Sequence, residues 1–343
     1  MKPVKILGIG TTLTCGEGLE ALGQALETGR GRLDSNVSVA GLEAFIPAGR
    51  TRRLDLLSRM ALLTACLALR DAKVGLEDVR GPETGIVLGT ALGPQQSTFA
   101  FLDGIMDSGD TGASSFAFTN SVHSIPASQV SLALGICGPV RTVTNFGSTA
   151  GAALGAAMHW LEQDKVKRVV LILGEESSPV EDYVVKRLGG GAAEVRPLAE
   201  GCSYANRGGC VAFVLGSEGD GYGRIVSVGQ SLTGREAAER IAGKDVLFSA
   251  AAGKADEFNL YRELAGHAVR VAAYSPVYGS FMTGLGVELA VAAMALRGKT
   301  LWPQPGGEMS GSTQPSVTPA AIRSAAVAGV SGPDRLTVIE LGP

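Results

Sequence analysis

A strand that turns sharply into a helix occupies residues 138–155, GPVRTVTNFGSTAGAALG. Residues Val140–Phe146 are mainly β-branched or aromatic and favour a strand, whereas Ser148–Leu161 is rich in Ala, Leu and Met and favours a helix. The turn falls at Gly147, because glycine tolerates the strained or positive φ of a tight turn. Unpaired N–H groups at such a helix start would activate a Cys thiolate. The chain carries no reactive side chain at that point.

Predicted strands and helices alternate along the rest of the chain. Apolar stretches predict strands at Val4–Ile9, Glu83–Gly89, Val169–Gly174, Gly209–Leu215, Gly223–Val228, Asp245–Phe248 and Leu336–Leu341. Apolar residues at helical spacing predict helices at Gly16–Gly29, Leu57–Lys73 and Gly284–Leu296. Between residue 90 and about Thr119 the sequence predicts a long polar and Gly-rich excursion. The order predicts an α/β protein of two similar halves, residues 1–217 and 218–343.

This strand–turn–helix segment, residues 138–155, is called the elbow below. It resembles the nucleophile elbow of the β-ketoacyl synthases, which are condensing enzymes of the thiolase fold. Gly147 stands where the family carries its acyl-accepting Cys, Gly155 matches a packing glycine on the helix, and Glu175 matches an acidic residue after the next strand. Upstream, Asn120–Pro139 is similar to the synthase-like branch found in aryl polyene and related pigment clusters. The resemblance implies a thiolase-like α/β fold, in which duplicated βαβαβ halves form a five-layer α-β-α-β-α architecture.

Two further segments resemble the synthase motifs that carry the catalytic His and Lys residues. Leu247–Leu264 resembles the His-Gly-Thr motif, with Ala252 at the His position. Val269–Gly286 resembles the Lys-x-x-x-Gly-His motif, with Ser275 at the Lys position and Ser280 at the His position. Loss of these side chains together with the thiol removes covalent capture, acid–base function and oxyanion donors. The resemblance therefore implies that the chain has no independent condensing activity.

A chain-length-factor-like subunit is the function that this resemblance implies. Such a subunit pairs with an active ketosynthase and helps to hold an acyl carrier protein in fatty acid or polyketide biosynthesis. The elbow strand would pair across a two-fold axis with the same strand of the partner, which places Val140, Thr142 and Thr144 at the interface. Bulky side chains would fill the substrate pocket and explain the lost chemistry, namely Phe146, Tyr278, Phe281 and Met282.

Two other functions are consistent with the same residues. Ser148, the residue after Gly147, would act as a relocated nucleophile in an acyl hydrolase or acyltransferase, with His123 as its base. A structural interpretation of Ser148 is a helix cap, and of His123 a residue that satisfies backbone groups at a subunit contact. The third function is a homodimeric binding protein for acyl-CoA or an acyl carrier.

Charge and composition exclude several other classes. The 343 residues carry a net charge of −3, so we expect no binding to nucleic acid or to an anionic membrane. No apolar run reaches the length of a membrane span and the start of the chain leads directly into a strand, so a cytoplasmic location is expected. The five Cys and three His residues have no metal-ligand spacing. We therefore predict no metal and no cofactor.

Overall fold

The computed structural model describes residues 3–31, 36–187, 195–197, 207–251, 257–305, 318–319 and 322–343. The strands are β1 Val4–Leu13, β2 Gly16–Glu17, β3 Thr84–Gly89, β4 Val140–Val143, β5 Arg168–Glu175, β6 Gly209–Gly216, β7 Arg224–Leu232, β8 Val246–Ser249, β9 Val271–Ala272, β10 Thr300–Leu301, β11 Thr318–Pro319, β12 Ala325–Gly332 and β13 Arg335–Gly342. The helices are α1 Gly18–Thr28, α2 Ala48–Thr51, α3 Leu56–Asp71, α4 Gln95–Ser108, α5 Ser115–Ser121, α6 Ile125–Leu134, α7 Thr149–Glu162, α8 Pro179–Arg187, α9 Gly234–Ile241, α10 Phe258–Ala265, α11 Ser275–Tyr278 and α12 Leu285–Gly298.

Short-range sequence signals determine where several of these helices begin and end. The Asp55 carboxylate accepts a hydrogen bond from the backbone N–H of Ser58 at 2.9 Å and caps the start of α3. Thr233 and Glu236 form a reciprocal capping box at the start of α9. Gly29, with a φ of 63°, ends α1 in the left-handed conformation that glycine adopts without strain.

The sheet contains the same strand arrangement twice. Its order is β4-β3-β5-β6-β1 in the first half and β9-β8-β12-β13-β7 in the second. In each half the first three strands pair in parallel, and the remaining two pairings are antiparallel. The two halves meet where β1 pairs with β7, and the chain passes from one to the other between Gly216 and Arg224. The predicted duplicated α/β fold is therefore confirmed.

Helices cover both faces of each half of the sheet. α3 and α6 pack on the outside of the first half, α9 and α10 lie outside the second, and α7 and α12 contact strands of both halves. Side chains of β5 alternate between two hydrophobic clusters: Val169 and Leu171 face the central cluster, whereas Val170 and Ile172 face α3. The result is the α-β-α-β-α layering that the resemblance implied.

Three sequence predictions for individual elements are wrong. The segment predicted as an irregular excursion up to Thr119 contains the helices α4 and α5. These helices are stabilised by packing on each other, which the weak periodicity of their sequence did not indicate. β4 ends at Val143, not at Phe146, so Thr144 lies beyond the strand. β12 was not predicted, because its Ala and Gly residues have low strand propensity and its pairing with β8 and β13 depends on distant parts of the chain.

Candidate functional site

The predicted elbow connects β4 to α7 through a single 3-10 turn, residues Phe146–Ser148. Phe146 adopts a positive φ of 43°, and Gly147 does not adopt one. The prediction that Gly147 supplies the positive φ is therefore wrong, since a non-glycine residue bears the strain. Two hydrogen bonds hold the turn: Asn145 N–H donates to Thr149 Oγ1 at 2.8 Å, and Ser148 N–H donates to Asn145 O at 2.9 Å.

Gly147 lies directly against the backbone of β12. A Cβ at this position would stand 3.2 Å from Val330 O and 3.3 Å from both Ser331 C and Ser331 Cα. They are backbone atoms: Val330 pairs with Leu336 of β13, and Ser331 lies at the register shift between Val330 and Gly332. A side chain at Gly147 would be in tighter contact with β12 than most Cβ atoms are with their neighbours, and β12 would have to move by a few tenths of an ångström to admit it.

A small cavity borders Gly147. Its volume is about 60 Å³, whereas pockets for small molecules commonly measure about 300–1,000 Å³. It is lined by Gly147, Ala250, Glu257, Tyr261, Ser275, Tyr278, Gly279, Ser280, Phe281, Met282, Gly284, Leu285, Gly329 and Val330. The fold thus brings Gly147, Ser275 and Ser280, three of the four positions that the resemblance singled out, to one cavity. The fourth, Ala252, lies outside the described residues.

Three of the four predicted pocket side chains line this cavity. Tyr278 and Phe281 are buried, with 2% and 7% of their surface exposed, and Met282 lies at the rim. Phe146 is not among the lining residues, and 65% of its surface is exposed. Its placement in the pocket was therefore incorrect, because the strained turn directs the ring outward.

Serine hydroxyls at this site bind backbone carbonyls. Ser275 Oγ donates to Ala251 O at 2.6 Å. Ser148 Oγ donates to Ser331 O at 3.0 Å, and Ser148 does not line the cavity. His123 packs elsewhere: a Cβ at Gly93 would stand 2.8 Å from His123 Cδ2. Among the described residues no hydrogen bond joins Ser148 and His123, and the Ser148 side chain bonds β12 and does not form the helix cap that was its structural interpretation.

A buried carboxyl group behind the cavity was missed in the sequence. Glu288 Oε1 accepts hydrogen bonds from the Tyr278 hydroxyl at 2.7 Å and from Tyr274 N–H at 2.8 Å, and Glu288 is fully buried. Its other carboxyl oxygen, Oε2, is buried with no hydrogen-bond partner among the described residues. Burial raises the pKa of Glu288 to about 7. A single acidic residue in the apolar run of α12 was the signal that could have identified it.

Two adjacent acidic residues support the loop that follows β3. Glu175 accepts hydrogen bonds from Ala91 N–H at 2.6 Å, Leu92 N–H at 3.1 Å and the Thr90 hydroxyl at 3.0 Å. Glu176 accepts from Gln96 N–H at 2.6 Å. Burial raises the pKa of Glu175 to about 8 and that of Glu176 to about 7. Their separate backbone partners assign them to loop structure and not to shared acid–base work.

A second cavity of about 630 Å³ lies between α3, α4 and the start of α8. Its apolar lining includes Val37, Leu56, Met60, Phe99, Ala100 and Val180, and its polar lining includes Asn36, Gln96, Asp103, Ser177, Ser178 and Asp182. The volume lies within the range of small-molecule pockets. It is separate from the elbow cavity, since the two share no lining residue.

A large exposed apolar surface surrounds the elbow strand. Eight of the fourteen exposed large hydrophobic residues in the described ranges lie between residues 102 and 146, namely Leu102, Met106, Phe116, Phe118, Val122, Leu132, Val140 and Phe146. We call this set the elbow face. The elements that carry it form a connected group, because α4 packs on α5, α5 on α6 and α6 on β4. β4 is an edge strand that pairs with β3 alone among the described strands.

One signal in the sequence corresponds to this face and was missed. Residues 111–140 include no Asp, Glu, Lys or Arg. Depletion of charged residues is typical of the core of a protein–protein interface. Within β4, Val140 is exposed and Thr142 is half-buried, with a buried hydroxyl that has no hydrogen-bond partner among the described residues.

Sequence comparisons relate the chain to condensing enzymes. Residues 31–178 match the family model of the β-ketoacyl synthase N-terminal domain. Nodulation protein E of Rhizobium meliloti (strain 1021) is 28% identical over 193 residues, which cover 53% of this chain and 46% of that protein. 3-oxoacyl-(acyl-carrier-protein) synthase 2 of Staphylococcus aureus (strain N315) is 23% identical over 144 residues, which cover 42% of this chain and 34% of that one. The matches thus span less than half of either relative's length.

Two solved structures share the fold over essentially the whole chain. The ishigamide ketosynthase/chain length factor has a TM-score of 0.85 at 15% identity and covers 99% of each chain. A β-ketoacyl synthase from Burkholderia phymatum STM815 has a TM-score of 0.80 at 17% identity and covers 100% of this chain and 99% of its own. These similarities define a protein of the thiolase fold. Within that fold, residues 31–178, which are less than half of the chain, match the N-terminal domain of the β-ketoacyl synthases.

The described ranges contain neither a membrane-spanning helix nor a metal site. Among the helices of these ranges, none is long and apolar enough to cross a membrane. Within the same ranges, no cluster of His, Cys, Asp and Glu side chains has the arrangement of a metal site.

Proposed function

We propose that the chain is a catalytically degenerate ketosynthase-like subunit that pairs with an active ketosynthase and an acyl carrier protein in fatty acid or polyketide biosynthesis. The observation that carries the proposal is the set of residues at the elbow cavity, where Gly147, Ser275 and Ser280 stand at the positions for which the resemblance implies a Cys, a Lys and a His. Gly147 has backbone atoms of β12 within 3.3 Å of where a Cβ would stand, and Ser275 and Ser280 line the adjoining cavity. A condensing reaction needs a thiolate and cationic or imidazole groups around one acyl carbonyl. The subunit would therefore act through binding.

Pairing with a second ketosynthase-like chain is supported by the elbow face. An exposed edge strand offers unpaired backbone N–H and C=O groups to another strand. Around it, the apolar side chains would be buried by a partner of matching shape, which is the main favourable term in association. A partner with its own elbow strand would join both sheets through Val140 and Thr142.

Binding to an acyl carrier protein is supported by a basic patch. Arg50, Arg52 and Arg53 are all exposed and lie close together at the end of α2. Carrier proteins with acidic surfaces would be attracted to this patch, and the attraction would be screened by salt.

The test of the proposal is co-expression with the complete ketosynthase encoded nearest to its gene. We expect the two chains to elute together as a 1:1 complex, and the condensing activity of the synthase with malonyl and acyl carrier substrates to change when this chain is absent. Separate elution, with the same activity from the synthase alone, would rule out the proposal. A homodimer that binds acyl-CoA and ignores the synthase would support the binding-protein alternative.

That alternative has one specific observation in its favour. The 630 Å³ cavity has an apolar lining and enough volume for an aliphatic chain. An acyl-CoA binding protein would be stabilised by its ligand in proportion to the logarithm of ligand concentration. Thermal shift with acyl-CoA esters of increasing chain length measures this directly.

Restoring the thiol alone should not restore the chemistry. We expect Gly147→Cys to form no acyl adduct with acyl-CoA and to lower stability by about 1–3 kcal/mol, because its Cβ would press on Val330 O. Gly147→Ala is the control, since it adds the same Cβ without a thiol. Intact-protein mass spectrometry and thermal denaturation are the measurements. A Gly147→Cys variant that becomes acylated and keeps wild-type stability would contradict the tight contact between this position and β12.

Reversing charge in the basic patch should weaken carrier binding. The Arg52→Glu/Arg53→Glu double variant is expected to bind an acyl carrier protein about tenfold more weakly at low salt, with the difference shrinking at higher ionic strength. Arg262→Glu/Arg270→Glu is the matched control, because both residues are exposed in the second half. Equal affinity of the two double variants, measured by calorimetry, would remove the patch from the interface.

A further inference from the structure

Phe146 combines two features that the isolated chain does not require. Its φ of 43° lies in the left-handed region, where an aromatic residue is strained and a glycine is not. Its side chain is 65% exposed. A chain with 48 glycines thus places a phenylalanine where a glycine would be unstrained.

The surrounding turn holds this strained residue in place. Asn145 N–H is bonded to Thr149 Oγ1, Ser148 N–H to Asn145 O, and Ser148 Oγ to Ser331 O. These bonds fix the residues on either side of Phe146, so the ring projects from a rigid support. Strain of this kind is concentrated at binding and catalytic positions. The ring of Phe146 does not line the elbow cavity.

We propose that Phe146 is an anchor residue whose ring inserts into a second ketosynthase-like chain. This inference rests on the proposed function and names one residue of the pairing surface. Phe146 follows the edge strand β4 by three residues and belongs to the elbow face. When two such edge strands pair antiparallel across a two-fold axis, the end of one lies beside the start of the other. The ring of Phe146 would therefore pack against the residues that lead into the partner's elbow strand.

An aromatic anchor of this kind has the properties of an interface hot spot. It has few rotatable bonds, a large apolar area and a preset position, so little conformational entropy is lost when it becomes buried. The strain is retained in the free subunit because its removal would also remove the preset position of the ring. This predicts opposite effects of one substitution on folding and on binding.

The test compares Phe146→Gly with Phe146→Ala in the full chain. Both variants should bind the ketosynthase at least tenfold more weakly than wild type, measured by sedimentation equilibrium or interferometry. Phe146→Gly should melt about 2 °C or more above Phe146→Ala, because glycine releases the positive φ and alanine does not. At an exposed position with a negative φ, the Ala variant would melt above the Gly variant. Phe116→Ala is the matched control, since Phe116 is 60% exposed on the same face.

Each outcome bears on the anchor separately from the proposed function. Wild-type affinity in both Phe146 variants, or a loss no larger than that of Phe116→Ala, would overturn the anchor while the subunit function stood. If wild type forms only a homodimer, the ketosynthase pairing fails, and the anchor stands or falls on the same variants in the homodimer. A wild-type chain that associates with neither would overturn both. A Gly variant that melts no higher than the Ala variant would show that no strain is stored.

Discussion

Leu132→Glu should abolish the complex with the partner ketosynthase while leaving the fold intact. Leu132 lies on α6 within the elbow face and is 72% exposed, so the substitution costs the isolated chain little. In the complex it would bury a carboxylate without a countercharge, which is one of the most costly changes at an interface. We expect at least a hundredfold loss of affinity, equivalent to about 3 kcal/mol. Sedimentation of the mixed proteins measures it.

Val269→Glu is a closely matched control for this experiment. Val269 is also 72% exposed, but it lies in the second half, outside the elbow face. The same side chain is thus introduced at the same exposure on another surface. If the two Glu variants bind equally well, the elbow face is not the pairing surface, and the exposed residues of the second half become the next candidates.

Stability should fall as pH rises from about 4.5 to about 8. Burial raises the pKa of Glu175 to about 8 and those of Glu176 and Glu288 to about 7, each from 4.5. In this range the folded chain holds protons that the unfolded chain has released, so raising the pH favours unfolding. A pKa unit corresponds to about 1.4 kcal/mol, so the shift of Glu288 alone corresponds to roughly 3 kcal/mol between the ends of the range.

Glu288→Gln isolates one of these contributions. Glutamine keeps an acceptor for the Tyr278 hydroxyl and for Tyr274 N–H, but it does not titrate. We expect the melting temperature of the variant to depend less steeply on pH between about 5 and 8 than that of wild type. Glu263→Gln is the control, because Glu263 is exposed on α10. A wild-type melting temperature that rises with pH, or an unchanged slope in Glu288→Gln, would contradict the assignment.

The two pH-sensitive regions have different consequences for the molecule. Glu288 supports Tyr278, which lines the elbow cavity, so its ionisation would act on that cavity. Glu175 and Glu176 hold the loop that leads into α4, and α4 carries part of the elbow face. Both carboxyl groups remain acceptors for these N–H donors when they ionise, so the loop keeps its hydrogen bonds at high pH and the cost lies in burying the charge.

Local patterns in the sequence were sufficient for much of the fold and part of the site. The β-branched run before Gly147 and the small-residue helix after it predicted the elbow, because strand and helix propensities act over a few residues. The resemblance of separate segments predicted that Gly147, Ser275 and Ser280 occupy related positions, and the fold brings these three to one cavity. The alternation of elements predicted two similar halves, and the observed strand order is the same in both, although β12 was not predicted.

Other features depended on contacts between distant parts of the chain. Ser148 bonds Ser331 across 183 residues of sequence, and the same strand, β12, fills the space beside Gly147. A pattern within a few neighbouring residues cannot predict a contact across so large a separation in sequence. The outward ring of Phe146 and the buried state of Glu288 likewise follow from which elements pack on them.

The sequence by itself therefore predicted the elbow, most of the long strands and the two similar halves, since these depend on residue type and short spacing. Only the tertiary structure decided that β12 lies against Gly147, that the residues of the elbow face are exposed, and that the positive φ falls on Phe146. Packing determines these features, because it brings together residues that the chain keeps far apart.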